Sequence, residues 1–329
     1  MMDWTDRHCR YFLRGFSPHT LLYTEMITAA AILRGDRARL LAFSPEERPL
    51  ALQLGGSDPQ QLAAAARAGE DAGYDEINLN CGCPSDRVAS GEFGACLMAV
   101  PARVGECVAA MRSAVRLPVT VKMRIGIVIG RGAEATAATA RFDDADHAAL
   151  YEFASALRGA RCDAIIVHAR KAVLGGLSPK DNRQVPPLRY EVVRALRHEL
   201  SSLSVIVNGG LRSVDAILGA LGWCDGTMLG REAYHRPFLL SELERALFTP
   251  GFELPGRGAL LERMASYAER QCAQGERFSG ITRHMLGLYA GEPGAREYRR
   301  LLSEGARRNG TGAELLRNLA RTMLSANAA

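Results

Sequence analysis

Residues 76–98 read EINLNCGCPSDRVASGEFGACLM, and this stretch indicates a strand that ends in a tight turn. Ile77 and Leu79 alternate with Asn78 and Asn80, and a period of two is typical of a β-strand. The segment directly after the strand is Cys-Gly-Cys-Pro-Ser, in which glycine tolerates unusual backbone angles and proline fixes its own. The pattern therefore predicts a strand whose C-terminal end leads into a turn.

Cys83 lies in that turn, three residues after the polar Asn80. A thiol displayed at the C-terminal mouth of a strand can act as an acid, a base or a nucleophile. A buried structural cysteine is the alternative, because cysteine is among the most buried residue types. A metal site is not predicted, because a single residue separates Cys81 from Cys83 and no CxxC motif lies nearby.

The composition indicates a cytoplasmic protein with one large domain and a smaller one. The chain has 329 residues, 47% of them hydrophobic, which is enough to bury a sizeable core. No run of 18 apolar residues and no basic-then-apolar leader occurs, so neither a membrane span nor a secretory signal is predicted. The eight cysteines are scattered without a disulfide framework, which is typical of a reducing compartment.

The excess positive charge lies mainly in the C-terminal part. The net charge is +5, and residues 236–329 contain 14 Arg and no Lys against 10 acidic residues. A positive surface of this kind favours a polyanionic partner such as a nucleic acid. The alternative is an ordinary solvated helical surface.

Seven short apolar runs, each followed by a helical pattern, predict a parallel sheet over the first 235 residues. The runs are 21–25, 50–54, 76–80, 118–122, 164–168, 204–208 and 226–230. The Ala- and Thr-rich residues 128–144 are predicted to form a surface loop.

Most of these runs end in a polar residue, which distinguishes two sheet architectures. The polar ends are Glu25, Gln53, Asn80, Lys122, His168 and Asn208. Polar groups at successive strand ends are how a (β/α)8 TIM barrel builds its site, whereas an open doubly wound sheet concentrates them at one switch point. We therefore expect an α/β barrel over residues 1–245, followed by an all-helical domain over 246–329, where strand patterns are absent.

The strand ends also offer contacts suited to flavin mononucleotide (FMN). Asn208-Gly209-Gly210 and Gly230-Arg231 follow the last two strands, where glycine N–H groups and an arginine can hold a phosphate. Two tight turns without a ligand are the alternative. Gln53, Lys122 and His168 add amide and cationic groups for the flavin ring.

At this point the chain resembles the tRNA-dihydrouridine synthase family, and it is most similar to the A subfamily. The motifs that carry the resemblance are MMDWTDRHCR (1–10), LYTEM (22–26), EINLNCGCPSDRV (76–88), VKMRIGI (121–127), VHARKA (167–172), LSPKDNRQVPPL (177–188), GTMLGREAY (226–234) and RHMLGLYAGEPGAREYRR (283–300). Together they extend over almost the whole chain.

The resemblance implies that FMN, reduced by NADPH, reduces uridine to 5,6-dihydrouridine at positions 20 and 20a of the tRNA D-loop. Cys83 is implied to be the general acid, acting in a monomeric protein. The residues implied to bind the cofactor are Met1, Gln53, Lys122, His168, Asn208, Gly209, Gly210, Gly230 and Arg231. Those implied to bind the uracil or the tRNA are Asn80, Arg124, Lys180, Arg183, Arg296 and Arg299.

The chain departs from the family pattern at several places. Val173 stands where tryptophan is usual, Met123 stands where histidine is frequent, and the 128–144 insertion is not typical. The family's first strand is largely absent, so we expect that strand to lie upstream of Met1, because a barrel needs eight strands.

Two other functions are compatible with parts of this pattern. An FMN-dependent barrel reductase could act on a free small molecule such as a pyrimidine, which the basic C-terminal part disfavours. A tRNA-binding protein without catalysis is disfavoured by Cys83 and by the flavin-type strand ends.

Overall fold

The computed structural model describes residues 1–84, 93–308 and 312–326. The strands in these ranges are β1 (Leu22–Thr28), β2 (Leu50–Gly55), β3 (Glu76–Asn80), β4 (Val119–Arg124), β5 (Ile127–Ile129), β6 (Ala164–His168), β7 (Ala172–Leu174), β8 (Ser204–Asn208) and β9 (Gly226–Met228).

The helices in the same ranges alternate with the strands and then continue alone. They are α1 (Arg7–Leu13), α2 (Ala29–Arg34), α3 (Arg37–Leu40), α4 (Pro59–Asp71), α5 (Pro101–Ala114), α6 (Gly132–Ala138), α7 (Asp144–Gly159), α8 (Tyr190–Glu199), α9 (Val214–Leu221), α10 (Arg231–His235), α11 (Phe238–Leu243), α12 (Arg257–Ala273), α13 (Phe278–Thr282), α14 (Ala295–Gly305) and α15 (Glu314–Ala326).

The backbone divides into two compact units. One comprises residues 1–22, 44–47 and 230–329, and the other comprises residues 23–43 and 48–229. The units follow from backbone packing, so the functional division at residue 245 stays a prediction.

A seven-stranded sheet forms the centre of the second unit. Its strand order is β1-β2-β3-β4-β6-β8-β9, and the pairs from β2 to β9 are parallel. Consecutive strands of this sheet are neighbours, as in a barrel, with no reversal of strand order at a switch point. The predicted α/β barrel-type sheet is confirmed.

The strand register brings the polar strand ends to one edge of the sheet. Asn80 pairs with Lys122, and His168 pairs with both Arg124 and Asn208. Because parallel strands that are in register end together, the side chains at these positions are neighbours along the edge.

Apolar side chains between the sheet and its helices form the core. In β4, Val119 and Val121 are fully buried, and Leu62 of α4 is fully buried against the sheet. Helix α4 begins directly after Asp58, whose side chain accepts a hydrogen bond from the Gln61 N–H at 2.8 Å.

The prediction that residues 128–144 form a surface loop is wrong. Strand β5 pairs in parallel with β7 through Ile127–Ala172, Val128–Val173 and Ile129–Leu174, and α6 follows. Helix α7 then begins at a capping box formed by Asp143 and Asp146. Strand β5 has only three residues, fewer than the alternation of four to eight residues that indicates a strand.

The last part of the first unit consists of helices over residues 257–308 and 312–326. Leu261 and Met264 of α12 and Leu316 of α15 are buried. Gly305 of α14 approaches α15 closely, since a Cβ there would lie 2.7 Å from the Leu315 Cδ2. Throughout the described ranges, each helix is too short or too polar to cross a membrane.

Candidate active site

Cys83 is half-buried in the turn after β3, and its backbone is held on both sides. The Asn80 Oδ1 accepts hydrogen bonds from the N–H groups of Gly82 and Cys83, both at 3.0 Å. The Cys83 carbonyl accepts the N–H of Ala95 at 2.9 Å. These contacts fix the position of a thiol at the sheet edge. The remainder of the motif, residues 85–88, lies outside the described residues.

Cys81 has a different environment, although it is only two residues away. Its side chain is fully buried, and burial raises its pKa well above the usual range for a thiol. Its N–H donates to the Lys122 carbonyl at 2.7 Å, which ties the turn to β4. The two cysteines therefore differ in access, with Cys81 in the core and Cys83 at the mouth.

Below the turn, five side chains form a continuous series of hydrogen bonds inside the sheet. The Asn80 Nδ2 donates to Gln53 Oε1, Gln53 Nε2 donates to Asn78 Oδ1, and Asn78 Nδ2 donates to Thr120 Oγ1, each at 2.8 Å. The Thr120 hydroxyl donates to Glu76 Oε1 at 2.6 Å. We call these five side chains the polar chain. Asn78, Thr120 and Glu76 were not predicted as site residues, although period-two alternation places Asn78 on the same strand face as Asn80.

Lys122 is a half-buried cation without a hydrogen-bond partner in the described residues. Burial, followed by the neighbouring Arg124 guanidinium, lowers its pKa to about 8. The Cys83 and Arg183 side chains are also among its electrostatic neighbours. An ammonium held in this way is suited to pairing with an anion or with a ring carbonyl.

Arg124 is buried, with 4% of its surface exposed, and it contacts the backbones of two loops. Its Nε donates to the Gly82 carbonyl at 3.1 Å, and its Nη1 donates to the Asn182 carbonyl at 2.9 Å and to the Lys171 carbonyl at 3.4 Å. Burial lowers its pKa to about 9. The guanidinium thus links the Cys83 turn to the loop that contains residues 180–183.

Asn182, which the sequence did not indicate as a site residue, anchors that second loop. It is fully buried, its Oδ1 accepts the Val173 N–H at 2.7 Å, and its Nδ2 donates to the carbonyls of Val173 and Leu177 at 3.0 Å. On either side of this anchor, Lys180 is exposed and Arg183 is half-buried. Val173, a departure from the family pattern, is fully buried and takes part through its backbone.

The turn after β8 shows a close approach that requires glycine. Gly209 has φ +109°, and a Cβ there would lie 3.0 Å from the His168 ring. Gly210 has φ +73°, and a Cβ there would lie 2.4 Å from the Leu188 Cδ1. The Asn208 Nδ2 donates to the Met228 carbonyl at 2.8 Å, which joins this turn to β9.

Within the described residues, the N–H groups of Gly209 and Gly210 make no hydrogen bond. Adjacent backbone N–H donors on residues with positive φ are typical of anion-binding turns. Together with the Lys122 ammonium, these N–H groups fit the phosphate and polar ring edge of a flavin mononucleotide.

Met1, Gly230 and Arg231 belong to the first compact unit. A Cβ on Gly230 would lie 3.6 Å from the Met1 Sδ, so these two predicted cofactor residues are neighbours. Arg231 begins α10 directly after Gly230 and is half-buried.

Arg296 and Arg299 lie exposed on α14, also in the first unit. Neither forms an ion pair with a described residue, whereas Arg300 on the same helix pairs with Glu297 at 2.6 Å and Glu304 at 3.1 Å. The two predicted tRNA-binding arginines are therefore available to an external anion, and Arg300 is neutralised. No cluster of three metal-ligating side chains occurs in the part of the chain that the structure describes.

Comparison with known proteins gives one consistent result. The family model described as "Dihydrouridine synthase (Dus)" matches residues 1–324. The protein named tRNA-dihydrouridine(20/20a) synthase from Synechocystis sp. is 51% identical over 320 residues, which cover 96% of this chain and 90% of the relative. The proteins of the same name from Xanthomonas campestris and Pseudomonas aeruginosa are each 52% identical, over 96% and 92% of this chain and over 90% and 87% of their own lengths.

Among solved structures, histamine dehydrogenase from Rhizobium sp. 4-9 aligns with 79% of this chain and 46% of its own. The TM-score is 0.48 and the sequence identity is 15%.

Proposed function

Because this chain belongs to the dihydrouridine synthase family, we propose that it reduces uridine to 5,6-dihydrouridine in the D-loop of tRNA, at positions 20 and 20a. The positions come from the names of relatives that are about half identical over nearly the whole chain. We propose that residues 1–245 catalyse the reaction and that residues 246–329 bind tRNA, in a monomer acting in the cytoplasm.

The observation that carries this proposal is the placement of Cys83. It is the accessible cysteine of the pair, its backbone is fixed by Asn80, and it lies at the polar edge of the sheet. Its S–H proton is the one that we assign to C5 of the uracil. The base must leave its stack to reach such a site.

The proposed cofactor is FMN, with NADPH as its reductant. When bound, the flavin supplies the hydride that is added to C6 of the uracil. Lys122, Gln53 and His168 would contact its ring, and the N–H groups of Gly209 and Gly210 would bind its phosphate. The proposed cofactor contacts also include Met1, Asn208, Gly230 and Arg231.

Substrate contacts are proposed from the hydrogen-bond donors that each side chain does not use within the protein. Asn80 uses its Oδ1 and one Nδ2 hydrogen internally, which leaves one amide hydrogen for the uracil. Arg183 is proposed to hold the other uracil edge, and Lys180, Arg296 and Arg299 to hold tRNA phosphates. Arg124 is buried and donates to the backbone carbonyls of Gly82 and Asn182. We therefore propose that it holds the two loops together and does not contact tRNA, in contrast to the role implied by the resemblance.

The test uses purified protein, FMN, NADPH and an unmodified tRNA transcript, with dihydrouridine mapped by mass spectrometry. Cys83→Ala is expected to retain FMN and NADPH oxidation and to form no dihydrouridine, and Cys81→Ala is expected to retain most activity. Wild-type turnover by Cys83→Ala would remove the assigned acid. Equal reduction of free uridine and tRNA would favour a small-molecule reductase instead.

A further inference from the structure

Two groups at opposite ends of the polar chain fix its direction. At the upper end, the backbone N–H groups of Gly82 and Cys83 can only donate, and both donate to the Asn80 Oδ1. At the lower end, an ionised Glu76 carboxylate can only accept, and the Thr120 hydroxyl donates to it at 2.6 Å. Both ends therefore impose the same polarity on the amides between them.

Each intermediate amide then has one orientation that satisfies its neighbours. The Thr120 proton is committed to Glu76, so the Thr120 oxygen must accept from the Asn78 Nδ2. Asn78 consequently presents its oxygen to Gln53, and Gln53 presents its oxygen to Asn80. An amide turned the other way would place two donors or two acceptors against each other.

Burial makes this orientation matter. Asn78 is fully buried, Thr120 is 2% exposed, and Gln53 and Asn80 are each 8% exposed. Water therefore has little access to replace a lost partner, and a buried polar group without a partner is costly. A break near Glu76 would be relieved most readily by turning the amides above it.

The Tyr23 hydroxyl provides an internal control for the role of the Thr120 hydroxyl. Its hydroxyl donates to the same Glu76 Oε1 at 2.7 Å and also lies beside the Thr120 hydroxyl, but in the described residues it forms no hydrogen bond with the amides of Asn78, Gln53 or Asn80. Burial raises the pKa of Glu76 above its ordinary value, and the hydrogen bonds from Thr120 and Tyr23 offset part of this rise. Both hydroxyls therefore donate to the Glu76 carboxylate. Only Thr120 also accepts a hydrogen bond from Asn78 and so connects Glu76 to the Cys83 turn.

We propose that Thr120 and Glu76 are positioning residues for Cys83, acting through the fixed orientation of Asn78, Gln53 and Asn80. Together with the two backbone N–H groups at the upper end, the carboxylate at the base of the sheet stabilises the orientation in which Asn80 presents its oxygen, rather than its NH2 group, to the turn that carries the thiol. This inference rests on the proposed function in one respect, namely that the position of the thiol sets the rate of uridine reduction.

The experiment compares three variants of the full chain: Thr120→Val, which removes the connecting hydroxyl, Thr120→Ser, which retains it, and Tyr23→Phe, which removes the reference hydroxyl. The first measurement is the rate at which iodoacetamide alkylates Cys83, read peptide by peptide by mass spectrometry, with the half-buried Cys272 as internal standard. The second is the rate of dihydrouridine formation on unmodified tRNA by enzyme that has been reduced in advance.

Thr120→Val is expected to alkylate at Cys83 about threefold faster or more, because its turn opens more readily. It is expected to form dihydrouridine about 10- to 100-fold more slowly, because the proton donor is misplaced. Thr120→Ser and Tyr23→Phe should match the wild type in both measurements, and the rate for Cys272 should not change.

Wild-type alkylation and turnover in Thr120→Val would overturn the inference. Equal losses in Thr120→Val and Thr120→Ser would also overturn it, because the lost group would then be the methyl. Should Thr120→Val fail to fold, Glu76→Ala must reproduce its expected effects and Glu76→Gln, which keeps an acceptor oxygen, must not. Absence of dihydrouridine with the wild type would refute the proposed function, while the alkylation rates would still decide the inference.

Discussion

Replacing Lys122 by Met should make the protein without cofactor more stable while weakening its binding of flavin. The ammonium is half-buried, and no described residue gives it a hydrogen bond or an ion pair. Burial lowers its pKa from 10.5 to about 8, so the folded state binds this proton less tightly than the unfolded state does. Methionine has a similar length and needs no hydration.

The size of the effect follows from that shift in pKa. One unit corresponds to about 1.4 kcal/mol, so a decrease of about 2.5 units gives at most about 3.5 kcal/mol. Part of the side chain remains solvated, so we expect Lys122→Met to gain about 1–3 kcal/mol at pH 7.

The dependence on pH has a definite sign. Below about pH 8 the lysine is protonated in both states, and the folded state bears the full penalty. Between about pH 8 and 10.5 the folded state releases its proton first, so the wild type gains stability as the pH rises. The advantage of Lys122→Met should therefore be largest at pH 7 and should shrink by pH 10.

Urea unfolding of the cofactor-free proteins at pH 7 and pH 10, together with flavin titration, measures these quantities. Lys180→Met is the matched control, because Lys180 is exposed and its replacement should change stability by less than about 0.5 kcal/mol. A less stable Lys122→Met protein at pH 7, or an advantage that is equal at both pH values, would refute the reasoning. Undiminished flavin affinity would remove Lys122 from the cofactor site.

Three further predictions concern other parts of the molecule. Arg296→Ala and Arg299→Ala should each reduce the slope of log tRNA affinity against log salt by about 1, as measured by filter binding, whereas the ion-paired Arg300→Ala should leave it unchanged. Gly210→Ala should cost about 1–3 kcal/mol in thermal unfolding and weaken flavin binding, because the residue has φ +73° and lacks room for a Cβ; unchanged stability would count against this. Asn182→Ala should cost about 2–3 kcal/mol in urea unfolding and slow dihydrouridine formation, because three backbone groups, two of them buried, lose their partner; a fully active, equally stable variant would contradict this.

The candidate site was partly readable from the sequence because strand ends are local features. Gln53, Asn80, Lys122, His168 and Asn208 each follow a short apolar run, and parallel strands in register bring such ends together. The exposure of these side chains and the hydrogen-bonding groups that remain available on them could not be predicted from the sequence. Both depend on neighbours from other strands.

The sequence by itself determined the period-two strands, their alternation with helices and the turn that displays Cys83, because backbone preferences and hydrophobic periodicity act over a few residues. Only the tertiary structure decided that Arg124 is buried on the carbonyls of two loops, one of them 58 residues away at Asn182. It also decided the direction of the hydrogen bonds from Asn80 down to Glu76. A hydrogen bond requires two specific atoms at about 3 Å, and the fold alone brings such atoms together from distant parts of the chain.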